Sequence, residues 1–403
     1  MGGDCQVQTR VWDSRRRERV PLPLSTDPEK GERRLLRLYV CGVTPYDSGH
    51  LGHAFTFLSF DLLVRWAEAQ GVRVRYVQNV TDVDDPLFER ARRDHIEWDQ
   101  LADSEVRAFT ADMEALGWRA PDHMPRVSQE IKSIQAAVQE LLDGGFAYRT
   151  DAVYFDVSRY PDFGGLSHRS RRSMLTKLRD EGLLGEVSPA AKRAQLDFTL
   201  WRPSADGEPS WPATFGTGRP GWHIECSAMA RRYLGPQLDV HGGGRDLIFS
   251  HHESERAQSE SMSGQPPFAA AWMHAGMVRY QGKKMSKSLG NLVVVRQLLE
   301  RTSPAAARLA LLSHHYRRDW EFRWDRLEQP AATVAALRDL VGPDPLCGAE
   351  RPPGDLAGEF AAALDDDLDV QGAIRALRRA IRTRDKPAAR WMASILLGSA
   401  ALA

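Results

Sequence analysis

The sequence predicts an α/β protein in which a parallel sheet with helical crossovers is followed by a bundle of helices. Three observations carry that expectation. Residues 36–79 read as strand, helix, strand; Leu238-Asp239-Val240 runs into His241-Gly242-Gly243-Gly244; and beyond Ser303-Pro304 the chain is rich in Ala, Leu and Arg with a helical period. A chain of 403 residues with 42% hydrophobic content has room for two or three domains with buried cores. The expected division is an N-terminal extension with an edge strand over 1–34, an α/β catalytic domain over 35–300 with a helical insertion at about 100–200, and a helical bundle over 301–403.

Taken in order, Val7-Gln8-Thr9-Arg10-Val11-Trp12 alternates and predicts an edge strand. Leu36, Leu38 and Val40 predict the first core strand. A loop with Gly42 and Pro45 follows, then a helix through Phe57, Leu58, Leu62, Leu63 and Trp66. Val72, Val74 and Tyr76 predict a second strand, which completes a βαβ unit ending at Asn79. Asp85 reads as an N-cap with Pro86 opening a helix. Residues 100–145 are mostly helical by period, Tyr154 lies in a short strand, and 167–195 read as a charged insertion. Pro and Gly crowd 203–221 as a loop, and 241–244 read as a flexible turn after a strand. Such turns are where parallel sheets bind nucleotides.

Composition excludes several roles. With 54 basic and 54 acidic side chains the net charge is zero, so no global basic field points to nucleic acid. No stretch approaches the roughly 18 apolar residues that span a bilayer, and the arginines at 15, 16, 17 and 19 precede no apolar run. A cytoplasmic protein without a membrane partner is expected. Cys5, Cys41, Cys226 and Cys347 are too widely spaced for a disulfide framework and read as reduced thiols, one or two of them as ligands.

Two motifs suggest chemistry. His50-Leu51-Gly52-His53 sits at the start of the long helix, where the dipole and free N–H groups suit phosphate oxygens, and Gly52 lets a flat ring approach. Alone, such a pair is more often capping or surface histidines. Lys284-Met285-Ser286-Lys287-Ser288, flanked by Gly282 and Gly290, could close over a polyphosphate; alone, it reads as a solvated basic loop.

Together, in this order, HLGH and KMSKS resemble the paired signatures of class I aminoacyl-tRNA synthetases. The stretches Leu38-Tyr39-Val40-Cys41-Gly42-Val43-Thr44, Asn79-Val80-Thr81-Asp82-Val83-Asp84-Asp85, Gly218-Arg219-Pro220-Gly221-Trp222-His223-Ile224-Glu225-Cys226 and 241–255 are similar to cysteinyl-tRNA synthetases in particular. The likeness covers roughly 36–330 and, more loosely, the tail through Asp365-Asp366-Asp367. It implies a Rossmann-like class I synthetase catalytic domain. It also implies zinc on Cys41, Cys226 and His251, with Glu255 as the fourth ligand in the synthetases. Zinc with N/S ligands and an open position would take a substrate thiolate and so reject serine without editing. His252 is expected to pack or support rather than ligate.

The resemblance assigns the chemistry to His50, His53, Lys284 and Lys287, acting on ATP with Mg2+. Cysteinyl-adenylate would lie among Cys41, Gly42, Val43, Thr44, Thr56, Asn79, Val80, Thr81, Trp222, Gly244, Arg245, Asp246 and Val278. The Asp85-Pro86 and Leu200-Trp201-Arg202 steps, with the chain length, resemble the mycothiol ligases of this superfamily. Those actinobacterial enzymes join cysteine to the amine of glucosaminyl-inositol. The chain stops at Ala403 soon after the bundle, which with zero net charge leads us to expect a monomer whose acceptor is a small amine and not tRNA. Two features depart from that likeness: Gly185-Glu186-Val187-Ser188-Pro189 lacks the double glycine of those ligases, and Glu255 is more synthetase-like. Another amine acceptor, a cysteinyl-tRNA synthetase and an inactive paralogue serving as a binding module are the alternatives.

Overall fold

The computed structural model describes residues 7–28, 31, 34–46, 49–180, 191–285, 290–342, 346 and 349–398. Strand β1 (Leu35–Val43) is buried along nearly its whole length, as a strand covered on both faces must be. Helix α1 (Leu51–Ala69) carries the chain over to β2 (Arg73–Val80), parallel to β1 with Tyr76 opposite Leu38. After a long excursion, helix α2 (Trp222–Leu234) leads into β3 (Leu238–Gly244), parallel to β1 on its other side with Val240 opposite Leu38. Helix α3 (Glu253–Ser263) then crosses to the outer strand β4 (Ala269–Ala275). The order β4-β3-β1-β2 reverses between β1 and β3, and that reversal opens a crevice at the carboxyl ends of those two strands.

The glycine run after Val240 is the end of β3 and not a turn. A Cβ on Gly242 would sit 2.2 Å from the Phe60 ring, and one on Gly243 would sit 3.1 Å from the His252 ring. The glycines are there to admit α1 and His252 against the strand. The N-terminal segment also differs from expectation. Arg10–Asp13 pairs with Glu18–Pro21 in a separate two-stranded ribbon. The ribbon guards the edge of β4: Trp272 N donates to Asp13 Oδ1 at 3.1 Å, and Ser14 N donates to the Trp272 carbonyl at 2.9 Å.

Between β2 and β3, helices Trp98–Ala115 and Ile131–Asp143 match the periodicity, but the insertion is not wholly helical. Ala147–Arg149, Val153–Phe155, Phe198–Arg202 and Arg219–Pro220 form an antiparallel sheet in that order. Its last strand falls inside the segment expected as loop. The helix Asp85–Asp94 is capped by Asp84, one residue before the expected position. Asp84 has the extended backbone a cap requires and accepts from Asp85 N at 2.9 Å, while the Asp85 carboxylate is taken up by Arg202 and Arg219.

Helices Pro304–Leu312, Glu328–Val341, Asp355–Asp365, Val370–Arg382 and Lys386–Leu397 follow the sheet. They pack on the back of α1, and one apolar cluster runs unbroken from β1 to Leu397. This explains why α1 is apolar around its circumference: sheet lies on one side and helices on the other. Trp66 of α1 meets both Phe360 and Trp391 at 6.3 Å between ring centroids. Among the described residues no helix is long and apolar enough to cross a membrane.

One buried ion pair locks this packing. Arg308 and Asp61, both fully buried, bond to each other, and Arg308 also donates to the carbonyls of Leu396 (2.7 Å) and Leu116 (3.2 Å). Burial raises the Asp61 carboxyl, but Arg308 and Arg65 outweigh it and hold the group below its usual range. Arg308→Met removes one of the two guanidinium groups that pair with Asp61 and leaves Arg65 as the other; it should cost about 3 kcal/mol in denaturant unfolding. Adding Asp61→Asn should recover part of that loss; additive losses would contradict the coupling.

Candidate active site

A cavity of about 390 Å³ occupies the crevice. Cys41, Gly42 and Thr44 come to it from the end of β1, and His50, Gly52, His53 and Thr56 from the first turns of α1. Trp222, Gly244, Asp246, Val278 and Lys284 complete the expected residues in its wall. Val43, Asn79, Val80 and Thr81 do not line it. They build the floor behind: Asn79 Oδ1 accepts from Gly42 N at 2.8 Å, Asn79 Nδ2 donates to Thr81 Oγ1 at 3.0 Å, and Thr81 N donates to the Val43 carbonyl at 2.9 Å. A Cβ on Gly42 would fall 1.6 Å from the Asn79 carbonyl oxygen, so no other residue fits there. Arg245 turns to a different cavity and pairs with Asp319 at 2.9 Å. Lys287 lies outside the described residues, as do Cys5, Cys347 and 185–189.

The histidine motif is organised differently from expectation. His50 caps α1: its Nδ1 accepts from Gly52 N at 3.0 Å and His53 N at 3.3 Å, while Leu51 N donates to the Val293 carbonyl at 2.9 Å. The first-turn N–H groups are therefore spent inside the protein and are not free for phosphate. The ring that Gly52 admits is that of His50 itself, whose Cε1 would be 2.8 Å from a Cβ. The two histidine rings stack at 3.8 Å. Burial, with Lys284 nearby, lowers His53 to about 4, so at neutral pH it offers a hydrogen bond and no charge. Lys284 Nζ pairs with Asp246 Oδ2 at 3.1 Å across the mouth.

Beneath Trp222 lies a buried polar cluster. The ligating atoms of Cys41, Cys226, His251 and Glu255 all fall within 4.8 Å of one another, and so do those of Cys41, His241, His252 and Glu255. Cys41 Sγ donates to Glu255 Oε1 at 3.3 Å, His251 Nε2 lies 3.1 Å from the same oxygen, and His241 Nε2 donates to Oε2 at 2.9 Å. Trp222 stacks on His251 at 4.3 Å. Burial pushes both thiols up, Cys41 strongly. Burial also lowers His223 and His251 to about 3. For Glu255, burial raises the carboxyl, but His241 and His251 bring it below its usual range.

These donors fit a tetrahedral zinc ion, for which bonds of 2.0–2.3 Å place donor atoms about 3.3–3.8 Å apart. The set with two thiols suits a borderline-soft cation better than the set with one. Around it, His251 Nδ1 meets His223 Nδ1 at 2.9 Å, and His252 Nδ1 meets His274 Nε2 at 2.8 Å. His252 Nε2 and His241 Nδ1 are buried without a partner. The contacts of His223 with His251 and of His274 with His252 could not be read from the sequence, because nothing in their spacing brings them together.

Comparison with known proteins agrees with this architecture. Residues 28–332 match the family described as tRNA synthetases class I (C) catalytic domain, and the chain belongs to that family. Within it, a protein of Thermobispora bispora named L-cysteine:1D-myo-inositol 2-amino-2-deoxy-alpha-D-glucopyranoside ligase is 48% identical over 344 residues, covering 84% of this chain and 83% of its own. A protein of the same name from Acidothermus cellulolyticus is 45% identical over 370 residues, 89% of each chain. Among solved structures, the Agrobacterium radiobacter K84 leucyl-tRNA synthetase ternary complex superposes with a TM-score of 0.66 at 12% identity, covering 94% of this chain and 85% of its own. Mycobacterium tuberculosis methionyl-tRNA synthetase with methionyl-adenylate gives 0.61 at 15% identity, covering 90% and 89%. These likenesses speak to the fold alone.

The cap on α1 can be tested separately from any chemistry. His50→Ala should cost about 1 kcal/mol of stability, whereas His50→Asn keeps a side-chain acceptor and most of that stability. Equal unfolding midpoints for the two variants would contradict the capping role.

Proposed function

We propose that this protein activates L-cysteine with ATP and transfers it to the amine of glucosaminyl-inositol, a step of mycothiol synthesis carried out in the cytoplasm. The observation that carries the reading is that the His50–His53 pair, Lys284 and the thiol cluster under Trp222 all open on one crevice. The names borne by relatives at 45–48% identity supply the acceptor.

In this reading Cys41, Cys226 and His251 hold zinc, with Glu255 beside them, oriented by His241. Zinc there supplies a soft ligand position for the substrate thiol, which serine cannot match. The cysteine ammonium faces Asp246 and Thr44, and the adenylate lies along Gly42, Gly244 and Val278 over the floor of Val43, Asn79, Val80 and Thr81. The substrate carboxylate attacks the α-phosphorus of Mg-ATP, and the bond to pyrophosphate breaks. His50 Nε2 and neutral His53 donate hydrogen bonds to the phosphates, while Lys284 and Lys287 offset the charge that grows on the leaving group. Arg245 is left out of this reading, because its guanidinium turns to a different cavity and pairs there with Asp319.

Three reactions of the purified protein with ATP and cysteine test the reading: one with glucosaminyl-inositol, one with cysteine-specific tRNA, one with neither. A product of the mass of the cysteinyl amide is expected only in the first; charged tRNA in the second would contradict it. Lys284→Ala should slow adenylation about 100- to 1,000-fold, and equal rates would remove the lysine from the mechanism. Cys226→Ser should lower bound zinc well below one per chain by elemental analysis, and full occupancy would contradict the assigned ligands.

A further inference from the structure

A second cavity of about 380 Å³ adjoins the first and shares Thr44, Tyr46 and Trp222 with it. It is large enough for a small polar molecule, and its polar wall is unevenly satisfied. Arg202 and Arg219 are held by Asp85, and Arg219 also by Glu208 at 2.7 Å. Asp197 is filled by the Tyr148 hydroxyl at 2.7 Å and Ala194 N at 2.9 Å. Asp84 is different: among the described residues it makes no ion pair, accepting only from Asp85 N and from Thr44 Oγ1 at 3.2 Å. Thr199 and Ser254, also in this wall, are 8% and 1% exposed, and among the described residues their buried hydroxyls have no hydrogen-bond partner.

Unpaired hydroxyls in a cavity wall suit a ligand with hydroxyls of its own, because buried polar groups are costly unless bonded. Asp84 makes no ion pair with Arg202, Arg219 or Lys192, the cations of this wall among the described residues, and a carboxylate so placed suits an ammonium. Burial and the neighbouring Asp85 push the Asp84 carboxyl up to about 7, despite the bonds from Asp85 N and Thr44 and the attraction of Arg219. A carboxyl so placed can exchange a proton near neutral pH.

We propose that this second cavity is the acceptor site for a polyhydroxylated amine, and that Asp84 holds the acceptor ammonium at the Thr44–Trp222 wall and takes its proton. The proposal rests on the cysteine-ligase reading above and adds to it the place and the base for the second half-reaction. The ammonium gives one proton to Asp84, and the freed nitrogen lone pair forms the C–N bond to the cysteinyl carbonyl. The C–O bond to the adenylate phosphate breaks with its electron pair leaving on AMP, and the second nitrogen proton passes to solvent.

Hydroxylamine separates this proposal from the reading beneath it. It is neutral at pH 7 and small enough to intercept cysteinyl-adenylate without the second cavity, giving cysteine hydroxamate. In Asp84→Asn the ratio of glucosaminyl-inositol amide to hydroxamate should fall about 100-fold from wild type. In Thr199→Val the KM for glucosaminyl-inositol should rise about 3- to 10-fold with little change in kcat. An unchanged amide-to-hydroxamate ratio in Asp84→Asn would overturn the assignment of Asp84, and an unchanged KM in Thr199→Val would overturn that of the cavity. Wild-type protein that forms no hydroxamate from ATP and cysteine would instead sink the cysteine-ligase reading itself.

Discussion

The structure turns on a carboxylate with no access to water. Glu255 is fully buried at the end of the crevice, together with two thiols and the imidazoles of His241, His251 and His252. Leaving such a group unpaired would cost several kcal/mol, so everything near it is arranged to satisfy it. His241 bonds one oxygen, Cys41 and His251 approach the other, and Trp222 closes the top. Gly243 at the end of β3 makes room for the His252 ring, which a side chain there would displace. A cation in this cluster would draw the protons from thiols that burial otherwise keeps neutral.

The strand reversal between β1 and β3 decides what this cluster can serve. It brings the α1 N-terminus, Gly244 and Asp246 to the same opening as Cys41, so His50, His53, Lys284 and Cys41 face one cavity. The antiparallel insertion walls a second cavity on the far side of Thr44 and Trp222. Two chambers with a shared wall suit a reaction in two halves. The C-terminal helices hold α1 from behind through Trp66 and the Arg308–Asp61 pair, which keeps His50 and His53 in place at the front.

Much of this was legible in the sequence where a local pattern carries the physics. The alternation at Leu36, Leu38 and Val40 and the helical period through Trp66 gave the βαβ unit because burial on a regular element imposes its own spacing. The motifs around His50 and Lys284 pointed to the crevice, and the resemblance pointed to Cys41, Cys226, His251 and Glu255. What was not legible depends on partners distant in the chain. Glycines at 242–244 look like a turn until Phe60 and His252 are packed against them. The first-turn N–H groups of α1 look free to meet phosphate until His50 Nδ1 is seen capping them. Arg245 sits beside Gly244 in sequence, yet Asp319 draws it elsewhere. Asp84 and Asp85 are adjacent and chemically alike, and Arg202 and Arg219, far along the chain, pair with Asp85 while Asp84 makes no ion pair among the described residues.

In the proposed function the cluster under Trp222 holds a metal that reads the substrate's sulfur. Replacing bound zinc with cobalt(II) makes this visible, because each thiolate on cobalt adds charge-transfer absorption in the near ultraviolet. The account predicts that L-cysteine, without ATP, raises that absorption by the increment of one further thiolate, and that L-serine leaves it unchanged. A spectrum that ignores cysteine, or responds equally to serine, would contradict it.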